Sequence, residues 1–506
     1  MDTVKIGWGR REISVNEPVS LPGQMYLRIS EGIHDPTYAT ALCVDGGAGQ
    51  DAVIFCACDR EGFYADVVEL VKARVKEMRP ELPVQCIIMS CTHTHDGAEI
   101  NDTPEMSPDG KPIYSGAKYR EFFVQMCAEA ICQAWDDRAE GGLTYGYGYA
   151  VVGHSRRVIY SVDEYSDKPE MTAPNGYGVM YGNTNREIFS HYEAGADHFV
   201  NLLYTFDAAG KLTGILVNVP CPSQLAEHFK KMSSDYWNEV RELVGKKYGA
   251  DVYILPQCAA AGDLSPRILH YSDAQVRRME LKYGLGYDPK KVGAHLEDEY
   301  RKVMAERYDI AERIVGAIDE VLCWAKKDIK TQVTVRHNCA DAALARRMIT
   351  DEEKKWCEDN ITALEQKIAE AKDAPPEKLR SLVSSSEIIS GRNRQAIERY
   401  AIQYENPTLT VPLHVASIGD VAFASNPFEL YMDYMHRMQS RSPFMQTFVI
   451  QMAGYNNQGY LATERGMHNK GYSASMFCNR VSAQGGQQMV DITVDMLKDL
   501  KSKDCQ

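Results

Sequence analysis

Short apolar runs alternate with stretches of helical periodicity along the first part of the chain. The runs at residues 41–45 and 52–58 are bounded by Gly and Asp, as is typical of buried strands. Residues 66–78 then carry apolar side chains at helical spacing, and residues 84–90 return to a strand pattern. A strand, a helix and a strand in this order favour parallel pairing with a right-handed crossover.

The same alternation continues along the rest of the chain. Helical patterns occur at residues 118–135, 235–248 and 485–500, and strand patterns at residues 143–149, 199–206, 212–219, 252–256, 409–418 and 421–424. Because these elements are joined without a linker or repeat, we predict one α/β domain over residues 1–506. Its mixed β-sheets are expected to be flanked by helices.

Two long charged stretches predict helical insertions in this domain, at residues 274–324 and 342–404. The second contains Ala374-Pro375-Pro376, and proline cannot continue a helix because it lacks an N–H and clashes with the preceding turn. The second insertion is therefore predicted to be a helical hairpin.

Charge and composition narrow the class of partner. The chain has 56 Lys and Arg against 70 Asp and Glu, a formal charge of −14 that repels nucleic-acid phosphates and anionic lipid. It contains no apolar run near the ~20 residues that span a bilayer. The N-terminus lacks the pattern of a secretory signal. We therefore expect a cytoplasmic protein with reduced cysteines and a small-molecule substrate, without membrane insertion; a homo-oligomer stays open.

The segment Thr-His-Thr-His-Asp-Gly at residues 92–97 is the strongest candidate for chemistry. His93 and His95 follow a buried strand and point to one side of the backbone, and neutral imidazoles are good zinc ligands. A hydrogen-bonded polar pair at a strand end is the alternative. The metallo-β-lactamase pattern does not fit, because Gly97 rather than His follows Asp96. The amidohydrolase pattern does not fit either, because at least two strand patterns precede the histidines.

A second candidate is Gly-Asp-Leu-Ser-Pro at residues 262–266, which follows an apolar run. Its small residues allow close backbone approach, and Asp263 and Ser265 offer polar side chains at a strand-to-loop junction. A tight turn, in which Ser265 caps the segment after Pro266, is the alternative.

Taken together, these motifs resemble the catalytic domain of the neutral, non-lysosomal ceramidases. The resemblance keeps the order of the family's motifs from the start of the chain to about residue 475. It rests on residues 32–34, 58–59, 92–97, 155–156, 262–266 and 426–429 and on Tyr460 and Tyr472. Phe428 stands where the family has Gly.

The resemblance implies a zinc site, with Zn²⁺ bound by His93, Glu429 and Tyr460. Where the family has a second zinc histidine before a proline, this chain has Cys221-Pro222. A cysteine thiolate is also a zinc ligand, so Cys221 is expected to complete the site. In the alternative, Cys221 is merely small and buried, and Glu227 or His228 takes its place.

The resemblance also implies roles for four further residues. Ser265 is the candidate nucleophile or a hydroxyl that orients the scissile carbonyl. His95 is expected beside the metal-bound water or the substrate and is the candidate general base or acid. Arg156 and Tyr472 are expected to donate hydrogen bonds to the substrate or its oxyanion.

These implications predict a zinc-dependent hydrolase that cleaves an amide bond. Its substrate is expected to be small and polar rather than membrane ceramide. The chain is acidic, Asp96 adds a carboxylate beside His95, and the immunoglobulin-like C-terminal domain of classical ceramidases is expected to be absent. The alternatives are an esterase or lactonase on the same site, a non-catalytic metal- or ligand-binding relative, and a metal-free serine hydrolase.

Overall fold

Strands and helices alternate along the described chain, as the apolar patterns predict. The computed structural model describes residues 2–63, 66–107, 110–164, 176–284, 296–454 and 458–504. Its strands are β1 (Lys5–Glu12), β2 (Ser20–Leu21), β3 (Arg28–Ile29), β4 (Tyr38–Asp45), β5 (Ala52–Cys58), β6 (Ile87–Cys91), β7 (Ala139–Tyr149), β8 (His154–Ser155), β9 (Arg157–Glu164), β10 (Gly176–Met180), β11 (Phe189–Tyr192), β12 (Phe199–Asp207), β13 (Leu212–Val219), β14 (Tyr253–Cys258), β15 (Leu264–Ser265), β16 (Val335–Ala345), β17 (Thr408–Ile418), β18 (Val421–Ser425), β19 (Glu429–Leu430), β20 (Gln446–Ile450) and β21 (Tyr460–Leu461). Its helices are α1 (Val67–Met78), α2 (Gly116–Asp136), α3 (Tyr236–Tyr248), α4 (Ser272–Tyr283), α5 (Leu296–Ala325), α6 (Asp351–Glu370), α7 (Pro376–Ile402), α8 (Met432–Arg441), α9 (Glu464–Asn469) and α10 (Ala483–Asp504).

An eight-stranded sheet forms the larger half of the fold, in the order β14-β13-β12-β7-β1-β4-β5-β6. Strands β5 and β6, which are connected by the helix α1, pair in parallel with Ile54 opposite Ile87. The predicted strand–helix–strand unit is thus confirmed. Strands β13 and β14 are the second parallel pair in this sheet, and β1, β4, β7 and β12 pair antiparallel with their neighbours.

A four-stranded sheet, β16-β17-β18-β20, packs against the larger sheet. The two sheets share one apolar cluster, at whose centre the Phe423 ring lies 4.6 Å from Phe55 and 4.7 Å from Phe448, between ring centroids. Strand β4 shows why the sheet is buried on both faces, since Leu42 and Val44 join this cluster while Cys43 points to the opposite side.

Helices cover the two outer faces. Helices α1 and α2 pack on one part of the larger sheet, and α3 and α5 pack on another part. Helices α8 and α10 pack on the four-stranded sheet. The resulting order of layers is helix, sheet, sheet, helix, and the predicted α/β fold with mixed sheets flanked by helices is confirmed.

The predicted helical stretches need one correction. Residues 342–345 belong to β16, which pairs with β17 as far as Ala345 opposite Thr408. The second insertion begins instead at α6, where Thr350 and Glu353 form a capping box. Its break falls as predicted, with α7 starting at Pro376. In the first insertion, α4 and α5 are described, and residues 285–295 lie outside the described residues.

Among the described residues, none of the helices combines the length and the apolarity that a membrane crossing requires.

Candidate active site

The polar motifs follow the carboxyl ends of strands that meet at one edge of the two sheets. His93 follows β6, Asp263 follows β14 and Glu429 follows β18. Strands β14 and β20 are joined there by the bond from the Gln451 N–H to the Cys258 carbonyl, 3.1 Å long. Residues far apart in the sequence are thereby collected at one place.

The backbone at His93 is held in an unusual conformation. Its φ is +64°, in the left-handed region that residues other than glycine rarely occupy. The His93 N–H donates to the Arg60 carbonyl at 3.0 Å, and the Thr92 N–H donates to the Cys58 carbonyl at 3.1 Å. The loop after β6 is therefore tied to the end of β5, which stabilises a strained backbone at a candidate functional residue.

The His93 ring is oriented by a second contact. Its Nδ1 lies 2.7 Å from the Glu61 carbonyl oxygen, which can only accept, so Nδ1 carries the proton. This leaves the Nε2 lone pair free, and Nε2 lies 3.5 Å from Glu429 Oε2 and 3.4 Å from His95 Nε2. A ring nitrogen fixed by a carbonyl, with the other nitrogen free, is the usual arrangement of a metal-binding histidine.

Glu429 and Tyr460 are brought together by strand pairing. Strands β19 and β21 run in parallel with Glu429 opposite Tyr460. Arg156 Nη2 joins them, because it donates to Tyr460 Oη at 3.2 Å and lies 3.8 Å from Glu429 Oε2. It also donates to the Gly262 carbonyl at 2.9 Å. A Cβ at Gly262 would lie 2.3 Å from the Glu429 carbonyl oxygen, so this close approach requires glycine.

His93 and Glu429 lie at a separation that suits a zinc ion, and Tyr460 lies beside Glu429 on the neighbouring strand. Tetrahedral ligands about 2.1 Å from zinc lie roughly 3.4 Å from one another. The observed 3.5 Å between His93 Nε2 and Glu429 Oε2 agrees with that separation. Tyr460 offers a buried phenol oxygen beside Glu429; burial raises its pKa well above the usual range, and the Arg156 guanidinium opposes that shift.

Cys221, the fourth expected ligand, points elsewhere. Its Sγ donates to the Pro222 carbonyl, at 3.5 Å, and burial raises the pKa of the thiol well above its usual range. Within the described ranges, the ligand atoms of His93, Glu429 and Cys221 do not all lie within 4.8 Å of one another. The structure therefore does not bring Cys221 together with the other three ligands in this arrangement.

The two substitutes considered for Cys221 lie on the far side of His95. Glu227 Oε2 is 3.5 Å from His95 Nδ1, and the same carboxylate is paired with Arg267. His228 is about half exposed, with its Nδ1 3.1 Å from Tyr26 Oη. Neither residue contacts His93 or Glu429 through a described ion pair or hydrogen bond.

His95 is buried between Gln224 and Glu227. Gln224 Nε2 lies 2.6 Å from His95 Nε2, a bond in which the amide donates and the imidazole accepts. Burial lowers the pKa of His95 well below its usual range, so the ring is neutral near pH 7. Gly23, with φ +89°, packs against this ring, and a Cβ there would lie 2.3 Å from His95 Nδ1.

The Asp96 carboxylate, which the sequence places beside His95, forms no described hydrogen bond with the imidazole. Its carboxylate accepts from Arg28 Nη1 at 2.9 Å, and both side chains are almost fully buried. Arg28 Nη2 in turn donates to the backbone carbonyl of His95, at 2.5 Å. Asp96 thus acts on the backbone at His95 through Arg28 rather than on the ring.

Ser265 lies in β15, which pairs with β8 beside Arg156. Its Oγ accepts from the Arg267 N–H at 3.2 Å, and the side chain is buried. No imidazole hydrogen-bonds this hydroxyl in the part of the chain that the structure describes. The Arg156 N–H donates to the Asp263 carbonyl at 3.1 Å, so the two motifs are held together through their backbones.

Tyr472, the candidate residue nearest the C-terminus, lies beside Tyr460. Its ring centroid is 6.2 Å from that of Tyr460. Arg392, from α7, lies with its Cζ 5.3 Å from the centroid of the Tyr472 ring and donates to Cys478 Sγ at 3.0 Å. The predicted helical hairpin thus supplies a cation to the site.

Sequence reasoning missed several residues that contact this group, namely Arg28, Glu61, Tyr181, Gln224 and Arg392. Gln224 lies three residues after Cys221, so a wider reading of that segment could have found it. Arg392 lies in a charged helix without a motif, and only the packing of that helix identifies it.

Comparisons with known proteins bear on the fold. No protein-family model matches the chain, and no curated protein matches it. Among solved structures, the chain is similar to neutral ceramidase from Pseudomonas aeruginosa, with a TM-score of 0.64 and 15% identity over 99% of this chain and 75% of that one. It is also similar to a ceramidase complexed with C2, with a TM-score of 0.61 and 14% identity over 99% of this chain and 76% of that one. The chain therefore has a neutral ceramidase-like fold.

Proposed function

We propose that this protein is a zinc-dependent hydrolase that cleaves the amide bond of a small, polar substrate. His93, Glu429 and Tyr460 would hold the zinc ion. The observation that carries the proposal is the free Nε2 of His93, which faces Glu429 Oε2 at 3.5 Å while Nδ1 is fixed by the Glu61 carbonyl. The similarity to ceramidase structures supports the same class of reaction.

The side chains around this centre supply the rest of the proposed chemistry. When bound, zinc would polarise a carbonyl oxygen and lower the pKa of a water molecule. Arg156 would stabilise the negative charge that develops on the substrate oxygen, because its buried guanidinium lies beside Tyr460 and Glu429. Tyr472, whose ring centroid is 6.2 Å from that of Tyr460, would contribute a further hydrogen bond.

His95 and Ser265 would have supporting roles. His95 is neutral, and its Nε2 accepts from Gln224, so the ring can exchange this amide for a water or a substrate N–H. We assign the attack to water rather than to Ser265, since no described imidazole is bonded to the Ser265 hydroxyl. Ser265 would orient the scissile carbonyl.

The charges around His95 support a polar substrate. The buried pair Arg28–Asp96 and the pair Arg267–Glu227 lie on either side of it. A cavity of about 800 Å³ opens next to Arg267 and contains both charged and apolar groups, among them Leu225, Lys302 and Glu306. A long acyl chain in this cavity would have to desolvate Arg267, Lys302 and Glu306, whereas a polar molecule can hydrogen-bond to them. Esters and lactones would use the same groups.

The test is metal analysis of the purified protein, combined with an amide, ester and lactone panel with and without chelator. We expect chelator-sensitive amide hydrolysis in the wild type. His93→Ala and Glu429→Gln should each lose one equivalent of zinc and nearly all turnover. Cys221→Ala is the matched control, because the Cys221 thiol is hydrogen-bonded to the Pro222 carbonyl and not to the proposed zinc ligands. This variant should retain the zinc.

Two results would contradict the proposal. Chelator-insensitive activity that persists in His93→Ala would indicate a metal-free hydrolase. A folded, zinc-loaded protein without turnover on the whole panel would indicate a metal- or ligand-binding protein. Loss of zinc in Cys221→Ala would instead restore Cys221 as a ligand.

Arg156→Lys tests the stabilisation of the oxyanion separately from zinc binding. The shorter, single-headed ammonium cannot reproduce the contacts of the guanidinium with Tyr460, Gly262 and Tyr181. We expect kcat to fall by about 10²–10³-fold while the zinc content stays unchanged. An unchanged kcat would remove Arg156 from the proposed reaction.

A further inference from the structure

Three cysteines outside the candidate active site form a close group in the core. Cys56 and Cys58 are two residues apart on β5, so their side chains point to the same face of the sheet. Cys127, from α2, packs onto that face. The three sulfur atoms all lie within 4.8 Å of one another, with 3.7 Å between Cys58 Sγ and Cys127 Sγ. All three side chains are fully buried.

We propose that Cys56, Cys58 and Cys127 form a second, structural metal site that binds a divalent thiophilic cation such as zinc. Thiolate sulfurs about 2.3 Å from zinc lie roughly 3.8–4.0 Å apart in tetrahedral or trigonal arrangements. The 3.7 Å between Cys58 and Cys127 is close to that separation, so little movement is needed. Binding displaces the three thiol protons to solvent.

Arg60 is an independent observation that supports negatively charged thiolates here. Its side chain is 1% exposed, yet Nη1 and Nη2 have no hydrogen-bond partner among the described residues, and Nε donates to the Gly62 carbonyl. The guanidinium lies over the Phe123 ring, on the same helix as Cys127, with Cζ 5.1 Å from the ring centroid. Burial raises the pKa of the Cys127 thiol well above its usual range, and the positive charge of Arg60 opposes that shift.

The charges match a divalent ion better than free thiols. Three thiolates around a divalent cation carry one net negative charge, which the single positive charge of Arg60 balances. With three neutral thiols, Nη1 and Nη2 of this buried guanidinium keep no described hydrogen-bond acceptor and gain no thiolate charge, which is costly in a low-dielectric core. Soft thiolate ligands also select zinc over hard cations such as magnesium.

The position of the group connects it to the candidate active site. The backbone carbonyls of Cys58 and Arg60 accept from the N–H groups of Thr92 and His93. A cation bound to Cys58 would therefore fix the end of β5, the segment that holds His93 in its left-handed conformation. The proposal does not depend on the catalytic zinc, since the two sites share no ligand.

A Cys58–Cys127 disulfide is the main competing explanation. It would require the sulfurs to move from 3.7 Å to about 2.05 Å, and it would leave Cys56 unpaired and no thiolate to interact with Arg60. An apolar cluster of three free thiols is the other alternative.

The test uses full-length protein produced in medium supplemented with cadmium. Cadmium–thiolate bonds absorb in the ultraviolet, so the site reports its own occupancy without an activity assay. We expect one equivalent of cadmium with this absorption in the wild type and its complete loss in Cys127→Ala. Cys43→Ala is the matched control, because Cys43 is a fully buried thiol on the neighbouring strand β4, outside the group. It should keep the absorption.

His93→Ala separates this proposal from the proposed function. It should lose the catalytic metal and keep the thiolate absorption, while Cys127→Ala should do the reverse. The inference is overturned if wild-type protein shows no thiolate absorption, if folded Cys127→Ala keeps it, or if mass spectrometry of protein purified without reductant shows a Cys58–Cys127 disulfide. Should Cys127→Ala not fold, the wild-type absorption, measured against Cys56→Ala and Cys43→Ala, decides.

Discussion

Burial changes the pKa values of single side chains in this protein. Burial lowers the pKa of His95 and raises that of Asp263, to about 6. The Asp263 carboxylate accepts from the Met432 N–H at 3.0 Å and thereby holds the start of α8. The same Gly-Asp-Leu-Ser-Pro segment therefore contributes a titrating group to the core as well as Ser265 to the site.

Asp263→Asn should change how stability depends on pH. The folded carboxyl keeps its proton up to about pH 6, above its ordinary pKa of 3.8, so its stabilising contribution is complete below pH 3.8 and is lost as pH rises through 6. Over that window the wild type should lose roughly 3 kcal/mol more than the variant, whose amide does not titrate. Urea unfolding at pH 4 and pH 7 measures the difference. Parallel pH dependence in both proteins would contradict it.

Between elements, a buried ion pair connects the small sheet of β9, β10 and β11 to the segment before Tyr472. Arg157 begins β9 and makes two bonds to Glu193, of 2.6 and 2.9 Å. It also donates to the Lys470 carbonyl at 2.7 Å and to Ser473 Oγ at 3.0 Å. Arg157 and Glu193 are almost fully buried, so this pair orients the turn that carries Tyr472.

Arg157→Met should destabilise the protein by about 3–5 kcal/mol, because Glu193 is left as an uncompensated buried charge. The double variant with Glu193→Gln should recover part of that loss. Arg441→Met is the control: its ion pair with Asp491 is about half exposed and should contribute less than about 1 kcal/mol. Chemical unfolding of the three variants checks this, and equal losses in both single variants would refute it.

At the scale of the whole molecule, the apolar cluster between the two sheets determines where the strand ends meet. Phe423 is fully buried there, between Phe55 of the larger sheet and Phe448 of its own sheet. Because β18 leads to Glu429 and β6 leads to His93, the packing of the sheets sets the distance between these two candidate ligands.

Phe423→Ala should cost about 3–5 kcal/mol of stability, because it removes a large ring from the centre of this cluster. Leu281→Ala, at a position that is 70% exposed, should change stability by less than about 0.5 kcal/mol. Urea unfolding would measure both losses of stability, as shifts of the transition midpoint at an unchanged slope. A similar small loss in both variants would show that the sheets are not held together by this cluster.

The sequence by itself determined the local elements. Short apolar runs and helical periodicity identified β4, β5, α1, β6, α2, β7, β12, β13, α3 and β14 within a few residues. A strand buried on both faces is apolar throughout, and a helix buried on one face repeats its apolar positions at helical spacing. Strand β16 was missed, since its alternation of small and polar residues at residues 335–345 is weak. The order of the polar motifs was also enough to suggest the ceramidase-like fold.

Only the tertiary structure decided which polar groups meet. Sequence order placed Cys221 among the ligands and Asp96 beside the ring of His95, but their side chains turn to Pro222 and to Arg28. Sequence order did not predict that Arg392 lies beside Tyr472 or that Arg60 lies near the three thiols. Such contacts depend on strand order and helix packing across hundreds of residues, and a local pattern of apolar positions does not encode the direction of one polar side chain.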